Sequence, residues 1–369
     1  MPLYLTEDQS LLRDTAREFV AENAPVAHLR HLRDANDATG FSRDLWREFA
    51  AMGFTGILIP EAEGGLGLGH VEAGVVLEEI GRNLSPSPFL ATAVAAVAAL
   101  DRSAARERWY PGILAGESVA AIALDEGRKF TAAPETTVAT RSGNGFTLSG
   151  AKQFVHHAHV ADLLLVSART AGGATIFAVD PKANGVDVTP ERLADSSIAS
   201  RIAFANVQLD ADAVIGEVDH GGAVLARILA AGRTGASAEL LGVGSGAMSM
   251  TVSYLKERKQ FGVAIGSFQA LQHRAAHLYS EMEIARAATL KAQQLLDAGE
   301  DAEEAVAVAK AMTGLATTLA VQEGIQMHGG IGMTDEYDIG FYMKRARVLA
   351  ELFGDSNFLA DSLARSAGY

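Results

Sequence analysis

The stretch Gln326-Met327-His328-Gly329-Gly330-Ile331-Gly332 is the most informative part of this sequence. Three glycines in four positions follow a long helical pattern, and glycine lacks the Cβ that keeps a ligand away from backbone N–H groups. The stretch therefore predicts a turn that can hold a diphosphate. The less favoured alternative is that it serves only to end the helix.

Two further segments lie upstream in the same helical half of the chain. Arg258-Lys-Gln-Phe-Gly262 places a cation and an aromatic side chain before a glycine, and Phe268-Gln269 begins the next helical pattern. A cation followed by a glycine is a common helix end, which is the plain structural interpretation. The functional interpretation is that Arg258 neutralises a pyrophosphate while Phe261 covers a ring.

The composition excludes several classes of protein. The 369 residues are 49% hydrophobic and 21% charged, which suits a globular protein with a sizeable core. A net charge of −14 argues against non-specific nucleic-acid binding, and the absence of cysteine excludes disulfides and thiolate ligands. The sequence shows no signal-peptide pattern and no uninterrupted apolar run that could span a membrane, so we expect a cytoplasmic protein.

Changes in periodicity divide the chain into three predicted domains. Residues 1–117 have helical spacing, 118–218 have short alternating runs between turn signals, and 219–369 have long patterns rich in Ala and Leu. We therefore predict a mainly α, α+β fold with an N-terminal helical domain, a middle antiparallel β-domain and a C-terminal helical bundle.

The individual elements follow from the same periodicities. The predicted helices include Val71–Arg82, Phe89–Leu114, Met248–Arg258, Phe268–Ala298, Ala302–His328 and Asp355–Arg365. The predicted strands are Val138–Thr140, Gly145–Ser149, Leu163–Ala168, Thr175–Val179 and Val186–Thr189, with hairpin turns at Arg141–Gly145 and Ala171–Ala174.

At this spacing the three motifs resemble the FAD-binding signature of the acyl-CoA dehydrogenase family. The resemblance covers nearly the whole chain, because Met52–Glu61, Gly64–Gly67 and Glu78–Arg82 match the N-terminal segments of the family. It implies a C-terminal four-helix bundle, FAD as the cofactor, an acyl-CoA substrate and an electron-transfer flavoprotein as the electron acceptor. The family usually assembles as a dimer of dimers.

The resemblance also implies roles for individual residues. Arg233 corresponds to an arginine on the helix beneath the active site, so we assign it to the substrate. Phe154 and His156 stand where the family has its flavin-facing strand. The residues expected to contact FAD, mostly that of a neighbouring subunit, are Arg258, Phe261, Gln269, Gln272, Gln326, Gly329, Gly330, Phe154 and His156.

The chain departs from the family where the chemistry occurs. Removing the α-proton of a thioester needs a carboxylate, and most members place a Glu in a Tyr-Glu-Gly-Thr segment before the last helix. Here the matching segment is Leu352–Ser356, with Phe353 in the base position. A minority of members use a Glu just before the arginine that matches Arg233, and here that residue is Gly232. Asp355 is the nearest substitute, two residues along.

The middle-domain motifs are altered too. The family's Thr-Glu-Pro loop is replaced by Leu124–Arg128, and its flavin-facing Trp-Ile-Thr by Phe154-Val-His156. The motifs that serve a neighbour's FAD are thus kept while those for the chain's own flavin ring are changed. This asymmetry resembles the base-lacking partner in α2β2 members from steroid side-chain catabolism. A homo-oligomer with a substitute base, and a flavin- or thioester-binding protein without turnover, remain alternatives.

A metal site is the least favoured interpretation of the histidines. His156, His157 and His159 are close in sequence, but no carboxylate or cysteine accompanies them at ligand spacing, and the family uses no metal. We therefore predict no metal and no hydrolytic triad.

Overall fold

The computed structural model describes residues 2–131 and 133–369, which form two compact units. The first unit contains the chain up to His31 together with His70–Ser85 and Arg233–Tyr369. The second contains Leu32–Gly69 and Pro86–Gly232. The predicted mainly helical α+β class is confirmed. The predicted three-domain division at 117 and 218 stays a prediction.

The helices lie on either side of the strands along the chain. They are α1 (Glu7–Asn23), α2 (Val26–Asp34), α3 (Arg43–Ala51), α4 (His70–Arg82), α5 (Val97–Leu100), α6 (Arg106–Leu114), α7 (Gly222–Glu257), α8 (Gln269–Asp297), α9 (Glu303–His328), α10 (Ile339–Glu351) and α11 (Ser356–Ser366). The strands are β1 (Ala120–Ala123), β2 (Val138–Ser142), β3 (Gly145–His156), β4 (Leu163–Arg169), β5 (Ala174–Val179), β6 (Val186–Arg192), β7 (Ile198–Leu209), β8 (Val214–Ile215), β9 (Lys259–Gln260) and β10 (Val263–Ala264).

The first unit is a packing of helices around α9. Thr6 caps the start of α1: its side chain accepts a hydrogen bond from the Gln9 backbone, while the Gln9 side chain accepts one from the Thr6 backbone. Helices α8, α10 and α11 all pack on α9. The segment Glu303–Met333 is long and apolar enough to cross a membrane, yet 61% of its most apolar window is buried, which is the pattern of a core helix.

The second unit contains an eight-stranded sheet in the order β6-β7-β3-β2-β4-β5-β8, with β1 beside β4. Both predicted hairpins are present: Ser142 pairs with Gly145, and Arg169 pairs with Ala174. The sheet is mainly antiparallel, as predicted, but β1 pairs with β4 in parallel. Both strands are almost wholly buried. A short strand buried on both faces, such as β1, has no alternation of apolar and polar residues to reveal it in the sequence.

Several element predictions need correction. The helix predicted over Met248–Arg258 is only the last part of α7, which begins at Gly222. The helix predicted over Phe89–Leu114 is interrupted: a π-helical segment Leu90–Ala96 leads into α5, and α6 begins only at Arg106. The interruption falls at Arg102, whose φ of 62° no helix accepts. Helix α10 and strand β7 were not predicted. With α10, the chain from Gly222 contains five helices where four were expected.

Candidate functional site

The glycine turn that follows α9 leaves its backbone open. Gly329 adopts φ 65° and ψ −140°, a conformation that residues with a Cβ rarely adopt. A Cβ built at Gly329 or Gly330 would meet nothing within 4 Å, and both residues are exposed. A side chain at either position would occupy the space of an approaching ligand, so glycine keeps the main-chain groups accessible.

An aromatic platform fixes the start of this turn. The His328 ring stacks on Tyr254 with centroids 4.5 Å apart and lies 4.9 Å from the ring of Tyr337. Its Nδ1 donates to the Gly324 carbonyl at 2.7 Å, and burial lowers the pKa of His328. The neutral, buried ring therefore ties the end of α9 to the last turns of α7.

Arg258 directly follows α7 and leads into the β9–β10 hairpin. Its guanidinium makes no hydrogen bond or ion pair with residues 2–131 or 133–369, so it is available to a ligand. Phe261, at the hairpin tip, has a φ of 53° and is 92% exposed. Its ring meets Phe268 edge to face at 6.2 Å. An exposed aromatic side chain beside an unpaired cation is the arrangement expected for contacting a nucleotide.

Gln269 and Gln272 are exposed at the start of α8. Gln272 Nε2 donates to the Gly266 carbonyl at 2.8 Å, so this side chain also has a structural task within the chain. The buried cluster of Leu255, Leu278 and Met327 joins α7, α8 and α9 close to these motifs. The fold thus gathers the three predicted cofactor segments at one end of the helical unit, although they are far apart in sequence.

These residues fit half of an FAD site. They offer an unpaired guanidinium, open main-chain groups at two glycines and an exposed phenylalanine, which suit the diphosphate and a ring. All lie on the surface of one unit. Their roles towards FAD remain predictions.

The predicted base position lies in a strained turn after α10. Phe353 is 9% exposed with φ 59°, and Gly354 follows with φ 100°. Two cations hold the carbonyl groups of this turn: Arg233 Nε donates to the Phe353 oxygen at 3.0 Å, and Lys310 Nζ donates to the Ala350 oxygen at 3.0 Å. The backbone of the turn is therefore fixed by contacts that do not depend on the side chain at 353.

Lys310 was missed by the sequence analysis. It is fully buried in α9, where burial, with a smaller contribution from the Arg233 charge, lowers its pKa to about 7. Burial also lowers the pKa of Arg233 to about 10. A lysine between two alanines in an apolar helix was the available signal, since such a residue needs buried acceptors.

Neither the second family position, Gly232, nor the substitute Asp355 offers a suitable proton acceptor. Gly232 is buried in α7 and carries no side chain. Asp355 caps α11, because its Oδ1 accepts from the Phe358 backbone at 2.7 Å. A carboxylate engaged in a helix cap is turned towards the helix, which disfavours it as a proton acceptor.

The second unit holds the predicted flavin-facing strand. Phe154 has φ 57° and lies where the β3–β7 register shifts between Lys152 and Val155. Its ring meets that of His156 edge to face at 4.9 Å. This irregularity re-aims side chains at the end of β3, as bulges do near functional sites. The roles of both residues remain predictions.

The loop after β1 is organised by a buried lysine. Lys152 Nζ donates to the Leu124 carbonyl at 2.9 Å and to Glu126 Oε1 at 2.8 Å. Burial opposes ionisation of Glu126, but the hydrogen bonds from Lys152 and from the Thr136 backbone outweigh it and hold its pKa far below the ordinary value. Glu126 therefore has a structural role as the charged partner of Lys152.

Asp125, between these two anchors, was missed by the sequence analysis. Its carboxylate has no hydrogen-bond partner within the described chain, and burial raises its pKa to about 6. Nothing in its neighbourhood marked it, because only the tertiary contacts of Lys152 with both adjacent residues reveal its position. A carboxyl group with this pKa could exchange a proton near neutrality.

The histidines of this region do not assemble into a metal centre. His157 meets the Phe41 ring edge to face at 5.7 Å, and His159 Nε2 lies 3.1 Å from the Thr39 carbonyl. Among the described residues no three His, Cys, Asp or Glu side chains come together as a metal-binding group.

Comparison with known proteins gives the family. Three family models match in succession: the acyl-CoA dehydrogenase N-terminal domain over residues 6–117, the middle domain over 125–210 and the C-terminal domain over 219–368. The 3-(aryl)acrylate reductase of Clostridium sporogenes is 30% identical over 96% of this chain and 97% of its own.

Two similar solved structures are assemblies of differently named components. The ChsE4–ChsE5 complex from Mycobacterium tuberculosis has a chain with a TM-score of 0.92, 26% identity and coverage of 100% of this chain and 99% of its own. A variant of the Tcur3481–Tcur3483 steroid ACAD gives a TM-score of 0.89, 31% identity and coverage of 98% and 99%.

This chain belongs to the acyl-CoA dehydrogenase family. It is accordingly an FAD-dependent flavoprotein oxidoreductase of the class that acts on CH–CH bonds. The predicted family, enzyme class and cofactor are confirmed.

Proposed function

We propose that this chain is the base-lacking subunit of a heteromeric acyl-CoA dehydrogenase. The observation that carries the proposal is the contrast within one unit. Phe353 fills the base position with a side chain that cannot accept a proton, whereas Arg258 and the glycine turn remain open for a ligand. The chain would bind one half of FAD and complete the assembly, while a homologous partner supplies the acid.

The chemistry of the reaction supports that division. FAD, when bound, takes up the β-hydrogen of the thioester as hydride. The α-proton needs a separate acceptor, which contributes about 10²–10⁴-fold to such a step. Neither Phe353 nor Gly232 can provide one, and the cap hydrogen bond of Asp355 disfavours that residue. The turn at 353 can still shape the acyl site, because Arg233 and Lys310 fix its carbonyl groups.

The similar structures support a heteromer. The ChsE4–ChsE5 complex joins two differently named chains, and the Tcur3481–Tcur3483 protein is described as a steroid ACAD. We infer the same kind of assembly here, with an acyl-CoA substrate, an electron-transfer flavoprotein as acceptor and a cytoplasmic location.

A second candidate function rests on Asp125. Its unpartnered carboxyl group, with a pKa of about 6, could serve a homo-oligomeric dehydrogenase as acid or base. In that case the chain would turn over alone, and Asp125→Asn would abolish activity.

Exchange of one acid at a time in a reconstituted complex tests the proposal. We would combine the chain with a family member that carries the glutamate and measure reduction of the flavin by acyl-CoA in a single turnover. Glu→Gln in the partner should slow the step by about 10³-fold. Asp355→Asn in this chain should leave the rate within about twofold, because Asn caps a helix nearly as well as Asp. The reverse pattern would overturn the proposed division.

A further inference from the structure

The helical unit contains a cavity of about 430 Å³ that the proposed function does not use. The N-terminal residues 3–5 form one wall, and α1, α4, α7 and α8 form the others. The volume lies within the ~300–1,000 Å³ typical of small-molecule sites. Everything that lines it belongs to one unit of this chain.

One buried polar group is aimed into this cavity without a partner. Gln293 of α8 is 5% exposed and lines the cavity, and its amide makes no hydrogen bond with the described residues. Gly74 of α4 leaves room for it, because a Cβ at Gly74 would come closer than 3 Å to the Gln293 amide. An amide that makes no hydrogen bond within the described chain is available to a ligand in the cavity.

Several arginine side chains on the polar wall of the cavity keep N–H groups that make no hydrogen bond within the described chain. Arg13 and Arg17 of α1 form their hydrogen bonds through Nε and Nη2 alone, to Asp14 and Glu79 respectively. Arg82 of α4 does the same towards Glu78 and Glu79. The Nη1 groups of these three arginines make no hydrogen bond in the described chain, although that of Arg17 lies 3.9 Å from Asp14 Oδ1 as a long ion pair. Such a wall in a protein of net charge −14 favours a ligand that brings acceptors.

The other residues of the wall determine which chain and which charge a ligand should have. Val71, Val75, Leu241 and Leu290 give the cavity an apolar side that suits an alkyl chain. Glu78 and Glu283 also line the cavity and would repel a multiply charged anion such as a phosphate ester. We propose that this cavity binds a small monocarboxylic acid with an apolar chain, whose carboxylate accepts from the arginines and from the Gln293 amide.

Octanoate is a suitable probe, and calorimetry measures its binding to the full-length chain. We expect one saturable site that persists in excess coenzyme A. Octan-1-ol, which keeps the chain and loses the charge, should bind at least about tenfold more weakly, since a hydrogen bond to a charged group contributes roughly 1.5–3 kcal/mol. No saturable binding of octanoate, or equal binding of the alcohol, would overturn the proposal.

Two variants locate the site. Gln293→Leu removes the amide with little change of volume and should weaken octanoate binding about tenfold. Arg13→Gln should weaken it about threefold; Arg13 pairs only with neighbouring Asp14, so the fold does not depend on it. Arg365→Gln, which removes an arginine 76% exposed on α11, is the matched control and should bind octanoate like the wild type. If neither cavity variant weakens binding while octanoate still saturates, the ligand lies elsewhere and this assignment is wrong.

Discussion

At the scale of single residues, the backbone at the base position is held by contacts that do not involve the side chain of Phe353. Arg233 binds the carbonyl of Phe353 and Lys310 binds that of Ala350, so the turn keeps its conformation whichever side chain it carries. The acid can therefore be lost without loss of the fold. The proposed loss is inferred from one residue of the sequence, Phe353, whereas the two cations that hold the turn are visible only in the structure.

Lys310→Met should change how stability depends on pH. The folded lysine has a pKa of about 7 and the unfolded one about 10.5, so between these values the unfolded state binds more protons and stability rises with pH. From pH 7 to 9.5 the wild type should gain about 3 kcal/mol relative to the variant. Thermal unfolding midpoints of both proteins at the two pH values measure this. Parallel curves would show that Lys310 does not titrate in this window.

Asp125→Asn should show the opposite trend at lower pH. The folded carboxyl group has a pKa of about 6, above its ordinary 3.8, so the folded state binds more protons between these values. That stability is present below about pH 4 and is lost as the pH rises through 6. The wild type should lose about 1–3 kcal/mol relative to the variant between pH 4.5 and 7.5. Asp187→Asn, at an exposed position on β6, is the control and should follow the wild type.

Arg258→Gln should weaken retention of FAD by the reconstituted complex. The guanidinium has no partner within the described chain, so its loss removes a ligand contact and leaves no buried charge behind. We expect about a tenfold weaker FAD affinity, measured from flavin fluorescence on dilution. Lys256→Gln removes a cation in the last turn of the same helix and should change the affinity by less than about twofold. Equal effects would mean that Arg258 acts only through net charge.

At the scale of elements, two glycines let α4 and α7 approach closely. A Cβ at Gly81 would lie closer than 3 Å to the Glu239 backbone, and one at Gly242 closer than 3 Å to the Glu78 backbone. Both neighbours are main-chain atoms of a helix, which cannot move aside as a side chain can. The glycines therefore set the crossing of the two helices, from which Glu78 and Glu239 form their ion pairs.

Gly242→Ala should consequently destabilise the protein by about 3 kcal/mol or more, because the new methyl group forces the helices apart. Gly340→Ala is the matched control. This glycine lies within α10 with nothing within 4 Å of a built Cβ, so alanine should stabilise the helix by about 0.5–1 kcal/mol. Thermal unfolding of the two variants compares them. Similar losses in both would show that helix approach is not the cause.

The elements also show what the sequence could predict. All four ends of helices α8 and α9 were predicted to within one residue, because long helical patterns rich in Ala and Leu carry a strong signal. β1 escaped notice, since a short, fully buried strand has no alternation. The break at Arg102 also escaped, because it rests on a left-handed residue that no Gly or Pro announces.

At the scale of the whole molecule, the sequence predicted the family, the cofactor and the enzyme class, because their motifs are local and lie in order along the chain. It did not predict Lys310, Asp125 or Gln293. Each of these is an ordinary polar residue by sequence, and its significance arises from burial and from missing or unusual partners. Such features depend on tertiary contacts that periodicity does not encode.

The central claim is that this chain grips FAD only as part of a shared site and brings no base. The most direct measurement is the flavin content and acyl-CoA turnover of the purified chain, alone and mixed with a base-bearing homologue. The account predicts a colourless, inactive chain alone and a yellow, active complex that holds one FAD for each pair of unlike chains. A chain that alone retains one FAD per molecule and oxidises acyl-CoA would contradict it.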